Sequence, residues 1–351
     1  MKLTSRFSAT LALARLALAG TFSVVDSYEG QDFINEWTFE AIPDPTHGYV
    51  NYVDKSTAVS KGLVFASGSN FTLKADDTTV VSSSASGRDS VRIQSPKTYN
   101  SHVTVINLAH MPKACGSWPA VWEVGPNWPQ GGEVDIIEGV NDQGTNALPL
   151  VLDVVFLIAY PTEPNRSSLH TSPDCTIPST GDFSGTVVST NCDTSVNDNS
   201  GCGFDYSTDN SYGHSFNLIQ GGFYASERTS TEVKIWFWPR TATNIPSDVK
   251  SGSSTINTNN WGRPQAYFPN TNCDIGSHFN DNNIVINLTF CGDWAGSAYS
   301  SSGCPGTCND YVKNNPSEMV NAYFLIMWLK VYESSSLQFD AEGQTVMQVK
   351  A

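Results

Sequence analysis

The sequence predicts an all-β fold, a sandwich or barrel of many short strands, and three observations carry that prediction. Apolar and polar residues alternate in short runs and rarely recur at helical spacing; Gly, Asn, Asp, Ser and Pro separate the runs; and no repeat or linker divides the chain after its first residues. At 351 residues the chain fits one large β domain as well as it fits two average ones. Charged residues are 15% and hydrophobic ones 39%, so solubility must come from uncharged polar side chains. With 34 acidic against 19 basic residues the net charge is −15, which disfavours nucleic acid because phosphate binding needs a basic face. Aromatics at 11%, nine of them Trp, suit a surface that handles sugars.

Residues 1–19 read as an export signal. Lys2 and Arg6 supply the basic start, Phe7 to Ala19 the apolar stretch, and Ala17-Leu18-Ala19 a small-x-small cleavage site. Candidate strands follow at Phe71–Ala75, Val91–Ile93, His102–Leu108, Glu232–Trp238 and Asn283–Leu288. Two segments are more apolar than their surroundings, 148–160 and Leu325–Trp328, and 334–351 reads as a loose tail. Eight cysteines with no C-x-x-C spacing indicate disulfides in an exported chain; the short separations suggest Cys304 with Cys308 and Cys192 with Cys202. Sequons stand at Asn70, Asn165 and Asn287.

The chemistry concentrates in Gly131-Gly132-Glu133-Val134-Asp135-Ile136-Ile137-Glu138-Gly139. Glu133 and Asp135 are two residues apart and share a strand face, whereas Glu138 falls on the opposite face of a regular strand. One extra residue at Ile136-Ile137, a β-bulge, returns Glu138 to the face of the other two. Glu133 and Glu138 then stand about four strand steps apart, roughly 13 Å between Cα atoms. Inward-leaning side chains can close that to about 5 Å, the separation of a retaining glycosidase. Three carboxylates on one face cannot all stay ionised, so at least one pKa should rise and supply a proton donor. The competing reading of these acids is a solvated edge or a calcium site.

Gly132–Gly139 resembles the catalytic strand of glycoside hydrolase family 16 in its bulged E-x-D-x-x-E form. Gly116–Trp122, Gly125–Pro129, Asp44–Gly48, Leu169–Ser172 and Asn287–Gly296 resemble the fungal endo-1,3(4)-β-glucanases (laminarinases) of that family. The resemblance implies a jelly-roll β-sandwich with a substrate cleft on its concave face, and a catalytic domain over 20–333. It implies Glu133 as nucleophile, Glu138 as general acid and base, and Asp135 as their helper. Trp118 and Trp122 would lie near the cleaved sugar and His170 near the acids, while Trp236, Trp238 and Trp294 would serve more distant sugars or simply fill the core.

The implied protein is a secreted, monomeric, endo-acting retaining hydrolase of β-1,3- and mixed-linkage glucans. It needs no cofactor or catalytic metal and has no nucleic-acid or membrane partner; a structural calcium ion is left open. The alternatives are a transglycosylase on the same fold and a catalytically impaired glucan-binding protein. Two places depart from the family pattern. Residues 147–167 read as an insertion, or as a translated intron, and Leu325 stands where the family commonly has Asp, which questions the C-terminal packing.

Overall fold

The computed structural model describes residues 20–141 and 164–334, together with a two-residue strand pair, Gln338–Phe339 with Thr345–Val346, in the tail. The export signal and most of the 147–167 segment, including its apolar run, lie outside the described residues. Two antiparallel sheets stack into a sandwich. The first contains β1 (Thr21–Tyr28), β4 (Val64–Ser67), β5 (Asn70–Lys74), β8 (His102–His110), β14 (Gly222–Arg228), β15 (Glu232–Pro239), β16 (Thr255–Asn257), β17 (Ala266–Pro269) and β19 (Tyr323–Ser334). The second contains β2 (Thr38–Phe39), β7 (Arg92–Tyr99), β9 (Ser117–Val124), β10 (Glu133–Glu138), β11 (Arg166–His170), β12 (Thr186–Ser189), β13 (Cys202–Asp205) and β18 (Asn282–Phe290). A parallel pair, β3 (Val50–Tyr52) with β6 (Arg88–Ser90), stands apart from both.

The strand order of the second sheet is β12-β13-β11-β10-β9-β18-β7-β2, so β10 is central, with β9 and β11 as its neighbours. Its inner face supplies Val121, Val134, Ile136, Ile137, Leu169, Ile284 and Ile286 to the core, against Ile106, Leu108, Tyr224, Ile235 and Phe237 of the first sheet. Period-two alternation leaves the outer face of β10 to its carboxylates.

The first sheet is buried on both faces. On β15, Val233, Ile235 and Phe237 point into the main core, while Trp236 and Trp238 point the other way into a second cluster with Val103, Val105, Phe223 and Ile256. Trp261 packs edge-on to both indoles, at 5.2 and 5.6 Å between ring centroids. Trp236 Nε1 donates to the Gly262 carbonyl. This corrects the expectation that Trp236 and Trp238 serve sugar subsites. They are core aromatics on the sheet that does not carry the acids, covered by the chain from Val249 to Trp261.

A charged group is buried between the sheets. Glu123, which faces inward from β9 between Trp122 and Val124, lies 3.0 Å from His102 Nε2 and 3.1 Å from Arg228 Nε. Arg228 also donates to the carbonyls of Tyr99 and Asn280. Burial opposes the Glu123 charge, but His102 and Arg228 outweigh it and hold the carboxyl down at about 2.

The disulfides are Cys115–Cys304, Cys175–Cys273, Cys192–Cys202 and Cys291–Cys308. The Cys192–Cys202 expectation holds; Cys304–Cys308 does not. Cys308 opens a helix, Cys308–Asn314, whose start packs beside Gly116 and the end of β18, so Cys308 reaches Cys291 and Cys304 reaches Cys115. The loop from 292 to 303 is thereby pinned at both ends to β9 and β18, adjacent strands of the second sheet. β19 pairs with β1, β5 and β8 despite Leu325, but its ladder with β8 shifts register twice between Leu325 and Trp328.

Candidate active site

The bulge expected at Ile136-Ile137 is present. On the β9 side Asp135 pairs with Trp122 and Ile137 with Val121, which leaves Ile136 as the extra residue. Both isoleucines stay in the core, and Glu133, Asp135 and Glu138 emerge together on the outer face. Gly132 sets the entry: its φ is +74°, and a Cβ there would meet the Phe279 ring at 2.4 Å. At the exit, a Cβ on Gly139 would meet the Tyr212 ring at 2.6 Å.

Each acid has a dedicated partner. Trp118 Nε1 donates to Glu138 Oε1 at 2.9 Å. Trp128 Nε1 donates to Glu133 Oε2. Asp135 Oδ2 lies 3.3 Å from His170 Nε2, near enough for an ion pair. His170 sits opposite Glu133 in the β10–β11 register, and its Nδ1 is held 3.1 Å from Asn199 Oδ1. Ligating atoms of Glu133, Asp135 and His170 fall within 4.8 Å of one another.

This crowding couples the titration of the four groups. Burial, then the Glu133 charge, raises Asp135. Burial, then the Asp135 charge, raises Glu138, while the Trp118 N–H opposes the rise. Burial also raises Glu133, but His170 and the Trp128 N–H work against it, and Asp135 hydrogen-bonds it. Burial disfavours the His170 cation; the Asp135 hydrogen bond and the surrounding carboxylates win and lift it to about 10. Burial and mutual repulsion thus disfavour ionising all three carboxylates together and favour a cationic His170 between them.

Indoles line the outer face beside the acids. Trp118 and Trp294 meet edge-on at 5.8 Å, and the Arg166 guanidinium lies 5.5 Å from the Trp294 ring. Arg166 is itself paired with Asp205 at 2.7 Å. Trp122 donates to Asn287 Oδ1, which is tied in turn to Tyr52, and Arg92 lies 4.9 Å from its ring. Trp128 is 44% exposed and stands open to solvent next to the half-buried Glu133.

A family profile described as XgeA-like, catalytic GH16 domain matches residues 37–151 and 152–332. The chain belongs to glycoside hydrolase family 16. A probable glycosidase of Schizosaccharomyces pombe is 40% identical over 90% of this chain and 70% of its own length. A probable endo-1,3(4)-beta-glucanase of Aspergillus fumigatus is 38% identical over 94% of this chain but 48% of its own, so the chain spans about half of that relative. Laminarinase 16A from Phanerochaete chrysosporium, solved with 6-O-glucosyl-laminaritriose in both donor and acceptor sites, is 52% identical. It superposes with a TM-score of 0.83, covering 89% of this chain and 100% of that one. An elongating GH family 16 beta-1,3-glucosyltransferase is 38% identical with a TM-score of 0.78, again over 89% of this chain and 100% of the other. The sandwich is therefore the family 16 jelly roll, and the chain is a glycoside hydrolase.

In this family 16 site the structure gathers Glu133, Asp135, Glu138, His170, Trp118, Trp122 and Trp294 around the outer face of β10 and excludes Trp236 and Trp238. Sequence reasoning missed Trp128, Arg166, Asn199 and Asn287 as contributors. Trp128 carried a signal, since it stands five residues before Glu133 in a Gly/Pro-bounded loop, and Asn287 opens the Asn287–Gly296 block; Arg166 and Asn199 lie in no family block. Asn165 and Asn287, read as sequons, are 0% and 6% exposed with their side-chain amides engaged inside the site. Asn70 is the partly exposed sequon, at the β4–β5 hairpin opposite Ser67. The end of the 147–167 segment belongs to the fold: Asn165–Ser167 join β10 and β11, so any insertion stops short of them.

Proposed function

We propose that this protein is a secreted endo-acting β-1,3(4)-glucanase that hydrolyses its substrate with retention. The observation that carries the reading is a pair of glutamates brought by the bulge onto one face of β10, each with an indole N–H on its carboxyl. Burial raises both, Glu138 to about 8, while His170 and the Trp128 N–H oppose the rise at Glu133. Ionised Glu133 attacks the anomeric carbon as the glycosidic C–O bond breaks, and Glu138 passes its proton to the departing oxygen. The resulting ester between Glu133 and the sugar is resolved by water. Glu138, now a carboxylate, takes the water proton as the new C–O bond forms and Glu133 leaves. Asp135 and His170 hold the Glu133 charge in place, and Trp118, Trp122, Trp128 and Trp294 offer ring faces to glucose units. Export is supported by four disulfides, which persist in oxidising compartments.

Purified protein incubated with laminarin, lichenan, xyloglucan and chitin tests the reading. Short oligosaccharides should appear from laminarin and lichenan; failure to cleave any β-glucan, or preference for chitin, overturns it. The similarity to an elongating glucosyltransferase supports a second reading, in which an acceptor sugar replaces water. Mass analysis separates the two, because transfer yields products longer than the starting oligosaccharide.

A further inference from the structure

The bulge that brings Glu138 onto the face of Glu133 has to be held, because regular pairing from Asp135 onward would turn Glu138 toward the core. One side chain spans it. Asn165 Oδ1 accepts the Glu138 backbone N–H at 3.1 Å, and Asn165 Nδ2 donates to the Ile136 carbonyl at 2.9 Å. The same carbonyl accepts a second hydrogen bond, 2.9 Å long, from Ser167 Oγ. Asn165 is in turn fixed through its backbone: its N–H donates to Ser211 Oγ at 2.9 Å and its carbonyl accepts from Tyr206 N–H at 3.0 Å. The residue is fully buried. Ile136 is the extra residue and Glu138 the residue the bulge re-aims, so a single amide supplies both the acceptor and the donor that the interrupted ladder lacks.

We propose that Asn165 is the positioning residue of the proton donor: its side-chain amide, assisted by Ser167, locks the bulge and so sets where the Glu138 carboxyl stands relative to the glycosidic oxygen. Asn165-Arg166-Ser167 is on this account a structural clamp that happens to spell a sequon. The inference rests on the reading of Glu138 as general acid. A displacement of about 1 Å at a catalytic group can cost on the order of 100-fold. The loss must fall on the step that needs the proton.

The test compares kcat/KM on laminarin with kcat/KM on dinitrophenyl β-laminaribioside, whose leaving group departs without protonation. Asn165→Ala should lower the laminarin value by about 10- to 100-fold and the aryl value by less than about 3-fold, with laminarin KM changing little. Ser167→Ala, which removes one of the two donors to Ile136, should show the same split at about 2- to 5-fold and carries the test if Asn165→Ala does not fold. Equal losses on both substrates, or no loss on laminarin in the folded variants, overturn the inference. Glu138→Gln is assayed alongside. If it shows the split and the clamp variants do not, positioning alone fails; if it also falls equally on both substrates, the reading of Glu138 fails.

Discussion

Replacing Trp118 by Phe keeps an aromatic face on β9 but deletes the N–H that Glu138 Oε1 accepts at 2.9 Å. A donor to a carboxylate favours the charged form, so this contact holds the Glu138 pKa below where burial and Asp135 would put it. A hydrogen bond to an ionised group contributes about 1.5–3 kcal/mol and one to the neutral acid about 1 kcal/mol. The differential is about 1 kcal/mol, and at about 1.4 kcal/mol per unit Glu138 in Trp118→Phe should rise by about half to one pH unit. The alkaline limb of the kcat/KM profile reports the free enzyme's essential acid. It should therefore move to higher pH by that amount, because Glu138 stays protonated further up the scale. Trp122→Phe is the matched control: its indole N–H goes to Asn287, and the limb should stay in place. An unmoved limb in Trp118→Phe, or one displaced to lower pH, would refute the assignment of that limb to Glu138.

Glu123→Gln leaves Arg228 charged between the sheets and should destabilise the fold by about 3–5 kcal/mol. For a domain of about 290 residues that is a fall in Tm of about 5–8 °C, read by calorimetry with kcat little changed well below Tm. Since the folded Glu123 carboxyl sits near 2 and an ordinary one near 4.5, its contribution is complete above the unfolded value and is lost as pH falls through the interval between them. Wild-type stability should drop over that interval more steeply than that of Glu123→Gln; parallel curves would contradict the triad's role. Glycopeptide mapping of protein exported from a eukaryotic host should find glycan at Asn70 and none at Asn165 or Asn287, and a glycan at Asn165 in active protein would be incompatible with the clamp.

What the sequence disclosed follows the period-two rule. Glu133, Asp135 and Glu138 could be placed on one face because Val134, Ile136 and Ile137 must all reach the core, which admits only a bulged strand. His170 was reached through its motif, and register then put it opposite Glu133. Trp236 and Trp238 were misplaced for a physical reason: alternation shows that they share a face of β15 but not what covers it, and the cover is the segment from Val249 to Trp261 folding back over them. The Cys304–Cys308 pairing failed because nearness along the chain did not foretell that the helix at Cys308 would carry it to β18. Asn165 was invisible in its working role, since three residues that spell a sequon carry no record of the carbonyl they bind.

Covalent trapping bears most directly on the division of labour between the two glutamates. Incubation with a fluorinated laminaribiosyl fluoride, which forms the glycosyl-enzyme faster than water resolves it, should add one disaccharide mass to the protein. Peptide mapping should place it on Glu133, with no adduct in Glu133→Gln. An adduct on Asp135 or Glu138, or steady turnover by Glu133→Gln without an adduct, would contradict the assignment of the nucleophile and with it the double displacement.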